Sequence, residues 1–376
     1  MNKNGIHTLD KYIMKRNILI TLLYKEGAGP IFTFEMAKGL AMNGCNVYVV
    51  VSSKISNRKD WENEKLFKKV VFIETGSRKN AITATINWFI SGRKKLRQSL
   101  KDIHFDMVIS TFYHPWAISV LNCTRCKNKY VICHDPIHHS GVPLYEKVLT
   151  TSYIKAANKV IVLTKSFIPL VNKRFGFNKD QIIFMPHGRM SSYQRNEKET
   201  KSNKDYNFLF FGRIGEYKGL NILAKAYKEL SYKRNDISLR VAGSGDFSKY
   251  ADDFHNLKNC TIDNRYIKDE EVSVFFSYPN TILVLPYIDA SQSGVIPIAF
   301  EHNVPIIASD TGGLREQLDE GHLGLLCKAN NVDSLCNAMN EICNNESLRS
   351  SYKTLMTQHL EHLNWNNVTK VLLKNS

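Results

Sequence analysis

Two basic side chains, Arg213 and Lys218, stand in a glycine-rich stretch of this 376-residue chain. An apolar run at 208–211 precedes them, long enough for a buried strand, and a helical pattern starts at Leu220. Glycines let a backbone approach a ligand, and a helix N-terminus offers free amide groups and positive potential. Two cations at such a strand–helix turn suit a diphosphate. The alternative is a tight turn with two solvated charges, and this stretch alone does not decide between them.

A second set of strand–turn–helix patterns follows along the chain. Residues 283–287 and 304–308 are apolar runs that indicate buried strands. They precede the turns Ser291-Gln-Ser-Gly-Val295 and Thr311-Gly-Gly-Leu-Arg-Glu316. The motifs in this order resemble the nucleotide-sugar half of a GT-B glycosyltransferase of the GT4 group. That group carries Gly-Arg-x-x-x-x-Lys-Gly, as at 212–219, and later a proline, a hydrophobic stretch and Ala-Ser-Asp-x-Gly-Gly-x-x-Glu, as at 305–316.

The resemblance covers most of the chain and implies an α/β fold of the GT-B type, with two Rossmann-like doubly wound domains facing a central cleft. Residues 1–190 are expected to form the acceptor-binding domain and residues 205–358 the nucleotide-sugar-binding domain. A C-terminal helix at about 360–376 is expected to pack back on the first domain. The implied reaction moves a sugar from a nucleotide-diphosphate sugar to an acceptor hydroxyl, with retention of anomeric configuration.

The resemblance also assigns site residues. Arg213 and Lys218 are expected to stabilise the charge of the departing diphosphate. In this group a His, commonly followed by Asp, points into the interdomain cleft, and His134 and Asp135 match that pair after the predicted strand at 130–133. These four are the expected catalytic residues. The expected donor-binding residues are Gly27, Gly29, Gly212, Arg213, Lys218, Gly243, Ile267, Gln292, Ser293, Gly294 and Val295.

One departure from the group's pattern concerns the sugar contacts. Most GT4-like sequences carry a Glu-x7-Glu pair, whose first Glu faces the donor sugar and whose second binds the ribose. Neither Glu is present at 290–299, and Glu316 comes several residues too late to be either. Gln292 and Ser293 are expected to substitute as hydrogen-bonding groups.

Three histidines near strand ends are weaker site candidates: His114, His138 and His139.

Positive charge is concentrated in the first half of the chain. The net formal charge is +16; residues 1–200 hold 32 Lys and Arg against 14 Asp and Glu, which leaves +18, and residues 201–376 hold 19 against 21, which leaves −2. The imbalance indicates an anionic partner for the first half, such as membrane headgroups or a lipid diphosphate. Nucleic acid also suits this charge, but the sequence has no nucleic-acid-binding motif, so we expect no nucleic-acid partner.

The segment at 87–101 joins an aromatic and apolar start to a dense basic run. Such a segment suits an anionic bilayer surface, with Trp88, Phe89 and Ile90 beside four cations. The cations are Arg93, Lys94, Lys95 and Arg97. An ordinary surface helix that packs Trp88, Leu96 and Leu100 inward is equally compatible.

From these features we expect a cytoplasmic enzyme, peripheral at the inner face of a bacterial plasma membrane. Its expected acceptor is a lipid-linked glycan for surface polysaccharide synthesis. Two alternatives remain open: a transferase with a soluble acceptor, and a nucleotide-sugar epimerase of the same architecture.

Metal and cofactor dependence are expected to be absent. The first half has no Asp-x-Asp pair, and GT-B enzymes generally work without a bound metal. Cys123 and Cys126, with Cys133-His134 shortly after, are a weak zinc candidate because the spacing is irregular. Eight cysteines without a secretory signal indicate reduced thiols.

Nothing in the sequence predicts a membrane span, because no apolar run reaches about 18 residues. The first apolar run, at 17–24, is predicted to be a strand. Residues 1–13 are expected to be an extension without structure of their own, and Met14 is an alternative start.

Overall fold

The computed structural model describes residues 15–77, 79–137, 143–193 and 205–376. Within these ranges the chain forms two parallel β-sheets, of seven and six strands, flanked by helices. This architecture confirms the predicted α/β class with two Rossmann-like units.

The first sheet is built from residues 17–184. Its strands are β1 (Asn17–Leu22), β2 (Asn46–Ser52), β3 (Lys69–Ile73), β4 (Met107–Ser110), β5 (Lys129–Cys133), β6 (Lys159–Val162) and β7 (Ile182–Phe184). The helices between them are α1 (Ala28–Met42), α2 (Arg58–Asn63), α3 (Ala81–Asn87), α4 (Arg93–Leu100), α5 (Ala117–Leu121), α6 (Leu144–Lys155) and α7 (Ile168–Phe175). The strand order is β3-β2-β1-β4-β5-β6-β7.

The second sheet repeats this winding. Its strands are β8 (Tyr206–Phe211), β9 (Ile237–Ala242), β10 (Cys260–Asp263), β11 (Thr281–Leu285), β12 (Ile306–Asp310) and β13 (Leu325–Lys328). The helices are α8 (Leu220–Ser231), α9 (Ala251–Phe254), α10 (Asp269–Phe276), α11 (Val295–Glu301), α12 (Leu314–Gln317), α13 (Val332–Asn344), α14 (Glu346–His362) and α15 (Trp365–Lys374). The strand order is β10-β9-β8-β11-β12-β13.

Both faces of the first sheet are buried. Along β1, Ile18 and Ile20 enter one core cluster and Leu19 enters another, because successive side chains of a strand point to opposite faces. Helices α1, α2 and α15 contribute to the first cluster, and α4, α5, α6 and α7 contribute to the second. The helices from α4 to α7 therefore cover one side of the domain. No helix within the described ranges is long and apolar enough to cross a membrane.

Two strands of the second sheet are displaced by two residues from the predicted runs. The prediction placed strands at 283–287 and 304–308, whereas β11 ends at Leu285 and β12 begins at Ile306. Prolines explain both shifts, because a proline has no amide hydrogen to donate to the ladder. Pro286 directly follows β11, and Pro305 directly precedes β12.

The chain ends in two helices where the sequence suggested one at about 360–376. Helix α14 ends at His362, and Asn364 caps the start of α15 by accepting a hydrogen bond from the Asn366 amide. Helix α15 packs on α1 of the first domain, where the Asn43 side chain donates to the Asn366 carbonyl at 2.7 Å. The extents given above for the two domains stay a prediction.

Candidate active site

The candidate site lies where the strand order reverses in the two sheets. In each open parallel sheet, ligands bind beyond the carboxyl ends of the strands at such a switch point. These points lie between β1 and β4 and between β8 and β11. Loops from the two sheets meet here: the Gly27 amide donates to the Tyr266 hydroxyl at 3.2 Å, and His134 contacts Gln292. The loops therefore face each other across one interdomain cleft.

Lys218 is a buried cation in this cleft, with 9% of its surface exposed. Its Nζ lies 3.6 Å from the ring centroid of Tyr287 and 4.9 Å from that of Tyr217, and a cation over an aromatic face is attracted by the ring quadrupole. Burial lowers the pKa of Lys218 to about 8, although Tyr217 and Asp135 oppose the shift. A bound diphosphate would add negative charge here and favour the protonated lysine.

Arg213 occupies the same turn as Lys218 but reaches solvent. The turn needs glycine, since Gly219 has a φ of 67° and a Cβ atom there would lie 1.9 Å from the Pro286 carbonyl oxygen. The loop after β8 therefore packs directly on the chain that leaves β11. This contact brings Arg213 and Lys218 beside the segment that carries Tyr287.

His134 is held through both of its ring nitrogens. Nε2 lies 2.9 Å from the Thr111 carbonyl oxygen, which can only accept, so Nε2 carries the proton and donates. Nδ1 then accepts a hydrogen bond from Gln292 Nε2 at 3.1 Å. The ring stacks on Phe112 at 4.0 Å between centroids, and burial lowers the pKa of His134. In this arrangement His134 is neutral and positions Gln292.

Asp135 follows His134 and is exposed at the same strand end. Its carboxylate raises the pKa of Lys218, whereas Arg213, in the same turn as Lys218, lowers it. The structure therefore brings the four predicted catalytic residues together, two from each domain.

The turn at 291–295 contains one side chain that supports the loop and one that faces the cleft. Ser293 is 2% exposed, its amide donates to Gln317 Oε1 at 2.7 Å, and its hydroxyl lies 3.2 Å from that of Tyr287. Ser293 thus holds the turn in place and is not available as the expected sugar contact. Gln292 Oε1, by contrast, is buried and has no hydrogen-bond partner among the described residues. Such an atom retains unused capacity to accept a hydrogen bond.

Gly294 and Val295 complete this turn at the start of α11. The helix begins at Val295, and a Cβ atom on Gly294 would lie 3.8 Å from the Cβ of Ala28 at the start of α1. The Val295 amide lies 3.4 Å from the Ser293 hydroxyl oxygen. The starts of α1 and α11 therefore face each other, although the Ser293 and Val295 amides already have partners within the protein.

The remaining predicted donor-binding residues differ in what they offer a ligand. Gly27, with a φ of 76°, precedes α1, and Gly29 packs against aromatic rings of the first domain. Gly212 and Gly243 lie against each other at the ends of β8 and β9. The Ile267 side chain is buried in the core of the second domain, so its backbone is the part that it can offer most readily to a ligand.

Several polar contacts across the cleft were not predicted from sequence. The Glu316 carboxylate accepts from the backbone amides of Lys165, at 2.6 Å, and Ser166, at 3.0 Å. Asp269 of α10 accepts from the hydroxyl of Ser56 in the first domain at 3.3 Å, and burial raises the pKa of this carboxyl. The Gly-Gly-x-x-Glu motif pointed to Glu316 but gave no partner, because the partner amides belong to the other domain.

Of the weaker histidine candidates, His114 takes part in a local loop contact of the first domain. His114 Nδ1 accepts from the Trp116 amide at 3.1 Å, and burial lowers the pKa of His114 to about 4. This contact organises the loop that leads into α5. His138 and His139 lie outside the described residues.

The zinc candidate finds no support in the structure. Cys123, Cys126 and Cys133 are all buried, and burial raises the pKa of Cys133 to about 12, which disfavours the thiolate that binds metal. Across the part of the chain that the structure describes, no group of three or more His, Cys, Asp or Glu side chains could hold a metal ion.

The structure has two doubly wound domains whose switch points face each other, and the switch point of the second domain carries the cation pair Arg213 and Lys218. This arrangement defines a fold of the GT-B class. Comparison with protein families agrees: the family described as Glycosyltransferase Family 4 matches residues 30–189, and the one described as Glycosyl transferases group 1 matches residues 192–356. The two matches adjoin and together span most of the chain. The protein belongs to the GT4-like glycosyltransferases.

Individual relatives are distant. An uncharacterized glycosyltransferase of Haemophilus influenzae is 23% identical over 269 residues, which cover 69% of this chain and 73% of the relative. The capsular polysaccharide biosynthesis glycosyltransferase CapM of Staphylococcus aureus is 22% identical over 288 residues, 76% of this chain and 70% of CapM. Several other relatives are matched over 39% to 57% of their length.

Among solved structures, Anabaena HepE in complex with UDP and glucose superposes with a TM-score of 0.72. The superposition covers 96% of this chain and all of HepE at 13% identity. At that identity the likeness shows the fold alone.

Proposed function

We propose that this glycosyltransferase uses a nucleotide-diphosphate sugar as donor and transfers the sugar, with retention, to a lipid-linked glycan of a bacterial surface polysaccharide. The observation that carries the proposal is the buried Lys218 over the Tyr287 ring, beside Arg213 at a switch point, because this arrangement suits a diphosphate leaving group. The complex of HepE with UDP and glucose supports the donor class, and the role in the name of CapM supports the polysaccharide.

The mechanism that fits these residues is a front-face displacement. The bond between the anomeric carbon and the phosphate oxygen breaks, the acceptor oxygen bonds to that carbon on the same face, and the acceptor proton goes to the departing phosphate. Negative charge grows on the β-phosphate, where Lys218 and Arg213 stabilise it. His134 has both nitrogens engaged, so in this mechanism it positions the donor through Gln292 and does not act as the base.

Product analysis tests the transferase assignment directly. A panel of nucleotide sugars scored by thermal shift identifies the donor, and the labelled donor is then incubated with and without acceptor. Transfer of label only when acceptor is present is the expected result. An isomerised nucleotide sugar in the absence of acceptor would instead establish the epimerase alternative.

Gln292→Ala is expected to raise KM for the nucleotide sugar by about tenfold, because the sugar loses a hydrogen bond in a buried site. Affinity for the free nucleoside diphosphate should stay within about twofold, since the buried Oε1 is assigned to the sugar and not to the phosphates. Steady-state kinetics and competitive inhibition measure the two quantities, with the exposed Gln358→Ala as control. An equal loss of both affinities would contradict the assignment.

Transfer is expected to persist in excess chelator. The proposed leaving-group stabilisation comes from Lys218 and Arg213, which need no metal. Initial rates with and without EDTA, after dialysis against chelator, provide the measurement. Loss of activity that manganese or magnesium restores would overturn the metal-free mechanism.

The membrane part of the proposal is supported by one continuous helical surface, formed by α3, a π-helical turn (Trp88–Gly92) and α4. Its outward apolar side chains are between 52% and 78% exposed and lead into a cationic stretch with a surface depression of about 300 Å³. The exposed apolar residues are Ile82, Ile86, Phe89 and Ile90. The cations that line the depression are Arg93, Lys94, Arg97 and Lys101.

Trp88 is the exception among the predicted membrane contacts. It is buried, stacks on Trp116 at 5.4 Å between ring centroids, and donates to the Ser119 hydroxyl at 3.1 Å. Leu96 and Leu100 are also buried. The segment therefore packs inward like an ordinary surface helix, and it also presents an apolar and cationic outer face.

Exchange of four cations of this surface for glutamine should weaken binding to anionic liposomes at least tenfold, because each cation near such a bilayer contributes about 1 kcal/mol to the free energy of binding. The exchanged residues are Arg93, Lys94, Lys95 and Arg97. Sedimentation with vesicles at low and high salt measures the effect, and added salt should weaken binding of the unmodified protein. The matched control exchanges four exposed lysines on the opposite side of the domain, namely Lys59, Lys65, Lys68 and Lys370. If the protein does not bind anionic vesicles at low salt, a soluble acceptor becomes the better assignment.

A further inference from the structure

Helix α6 presents a second exposed apolar face that neither the donor site nor the cationic helix explains. Four large apolar side chains on it are between 44% and 77% exposed. They are Leu144, Tyr145, Val148 and Leu149, whose spacing places them on one face of the helix. Contiguous exposed apolar surface on a folded protein marks an interaction site.

This face lies on the same side of the first domain as α4. Tyr153 and Ile154 of α6 enter the core cluster that also contains Leu96 of α4. The loop after β4 contacts both α6 and α3. The ring centroids of Tyr113 and of Tyr153 on α6 lie 5.7 Å apart, and Trp116 donates to Thr85 of α3 at 3.2 Å. The exposed face of α6 and that of α3 therefore flank one loop of the cleft.

Both apolar faces also lie at the cleft end of their helices. Strand β5 and strand β6 are parallel, so α6 must start at the carboxyl edge of the sheet and run back toward the amino edge. Leu144 and Tyr145 in its first turn are therefore near the edge that carries His134. The same reasoning places Ile82, in the first turn of α3, at this edge.

The charges around α6 favour an anionic bilayer over a second copy of this chain. Lys147 and Lys155 lie on α6, and the exposed Lys173 and Arg174 lie on α7, which packs against it. Glu146 is the acidic residue of α6. Two copies pairing through this face would bring basic first domains together and repel each other, whereas anionic headgroups would be attracted.

We propose that the apolar face of α6 inserts into the interfacial layer of an anionic membrane, together with the exposed face of α3, so that the mouth of the cleft opens on the bilayer. Amphipathic helices bury their apolar faces at this depth while their cations contact headgroups. The inference rests on the proposed lipid-linked acceptor, and it adds the orientation in which that acceptor enters: laterally, past α6, toward the carboxyl end of β5.

A tryptophan at position 145 tests the insertion. The four native tryptophans, Trp61, Trp88, Trp116 and Trp365, are all buried, so an added exposed tryptophan is distinguishable. Full-length Tyr145→Trp protein is mixed with vesicles of equal parts phosphatidylcholine and phosphatidylglycerol. We expect a blue shift of its emission and quenching by brominated lipid. Tyr232→Trp, at an exposed position of the second domain, should show neither.

A paired variant separates insertion from charge attraction. Leu144→Gln combined with Val148→Gln should lower vesicle binding at high salt about tenfold, because apolar burial persists when electrostatic attraction is screened. Val274→Gln, an exposed site of α10, is the matched control.

The outcomes are distinguishable. Vesicle binding that depends on the α4 cations, without a shift at position 145, overturns the insertion of α6 and leaves the membrane assignment intact. Absence of any vesicle binding overturns both, and transfer to a soluble acceptor then shows whether the transferase assignment stands. A blue shift that appears without lipid as protein concentration rises, with a doubled mass in sedimentation, shows that a second copy covers the face and overturns the proposal.

Discussion

Lys218→Met is expected to reduce turnover at least about a hundredfold, the scale for loss of one preorganised group that stabilises transition-state charge. Methionine keeps an apolar stem of similar length between the aromatic rings, so the variant removes the charge and little of the packing. Arg213→Ala should reduce turnover by a similar factor, and its side chain is exposed, so the fold should be unaffected.

The pH dependence gives an independent check on Lys218. Burial lowers the pKa of Lys218 to about 8, so kcat/KM should fall as pH rises through that value, because the free enzyme loses the cation. Bound diphosphate favours the charged form, so kcat should hold to higher pH than kcat/KM does. In Lys218→Met the fall near pH 8 should disappear.

Lys225→Ala is the matched control for these variants. Lys225 is an exposed lysine of α8, the helix that begins just after the turn, so the same charge is lost outside the cleft. Its turnover should stay near that of the unmodified protein. Near-normal turnover in both Lys218→Met and Arg213→Ala would remove the basis of the diphosphate assignment.

The fold could be predicted from sequence because its signals are local. Apolar runs followed by glycine turns and helical periodicity recur through both halves, and the structure has a strand–turn–helix unit at 208–220 as predicted. The bounds of β11 and β12 differ from the predicted ones because Pro286 directly follows the first strand and Pro305 directly precedes the second.

The side-chain environments could not be predicted, because they depend on partners far along the chain. No residue close to Lys218 in the sequence indicates that the Tyr287 ring covers it. Likewise, no residue close to His134 in the sequence indicates that Gln292 of the other domain contacts it. Ser293 and Gln292 are adjacent polar residues in one turn, yet the first is buried against Tyr287 and the second faces the cleft.

The outer face of the helix at 81–100 illustrates a different limit. An amphipathic pattern gives the direction of each side chain only if the helical period is constant. Here a π-helical turn at Trp88–Gly92 changes the period, and Gly92 lets the Trp88 ring approach so closely that a Cβ there would lie 2.6 Å from it. Trp88 is buried, as the surface-helix interpretation of this segment expected, whereas its neighbours Phe89 and Ile90 are exposed.

Gly243→Ala is expected to destabilise the second domain by about 2–5 kcal/mol, the combined scale of overpacking and of a side chain at unfavourable positive φ. Gly243 has a φ of 147°, and a Cβ atom on it would lie 1.8 Å from the Gly212 carbonyl oxygen. No rotamer can relieve this contact because both atoms belong to the main chain. The loops after β8 and β9 must separate, and Arg213, which follows Gly212, moves with them.

We therefore expect Gly243→Ala to lose nucleoside diphosphate affinity and turnover together with stability. Urea unfolding gives the stability, and calorimetric titration with a nucleoside diphosphate gives the affinity. Gly44→Ala is the control, because Gly44 has a φ of 84° but no atom within 4 Å of an added Cβ, so it carries the backbone strain without the clash. In the control, the free energy of unfolding should fall by only about 1–2 kcal/mol, and turnover should be unchanged. Equal stability of the two variants, with donor affinity retained in Gly243→Ala, would mean that the contact between the loops after β8 and β9 does not position Arg213.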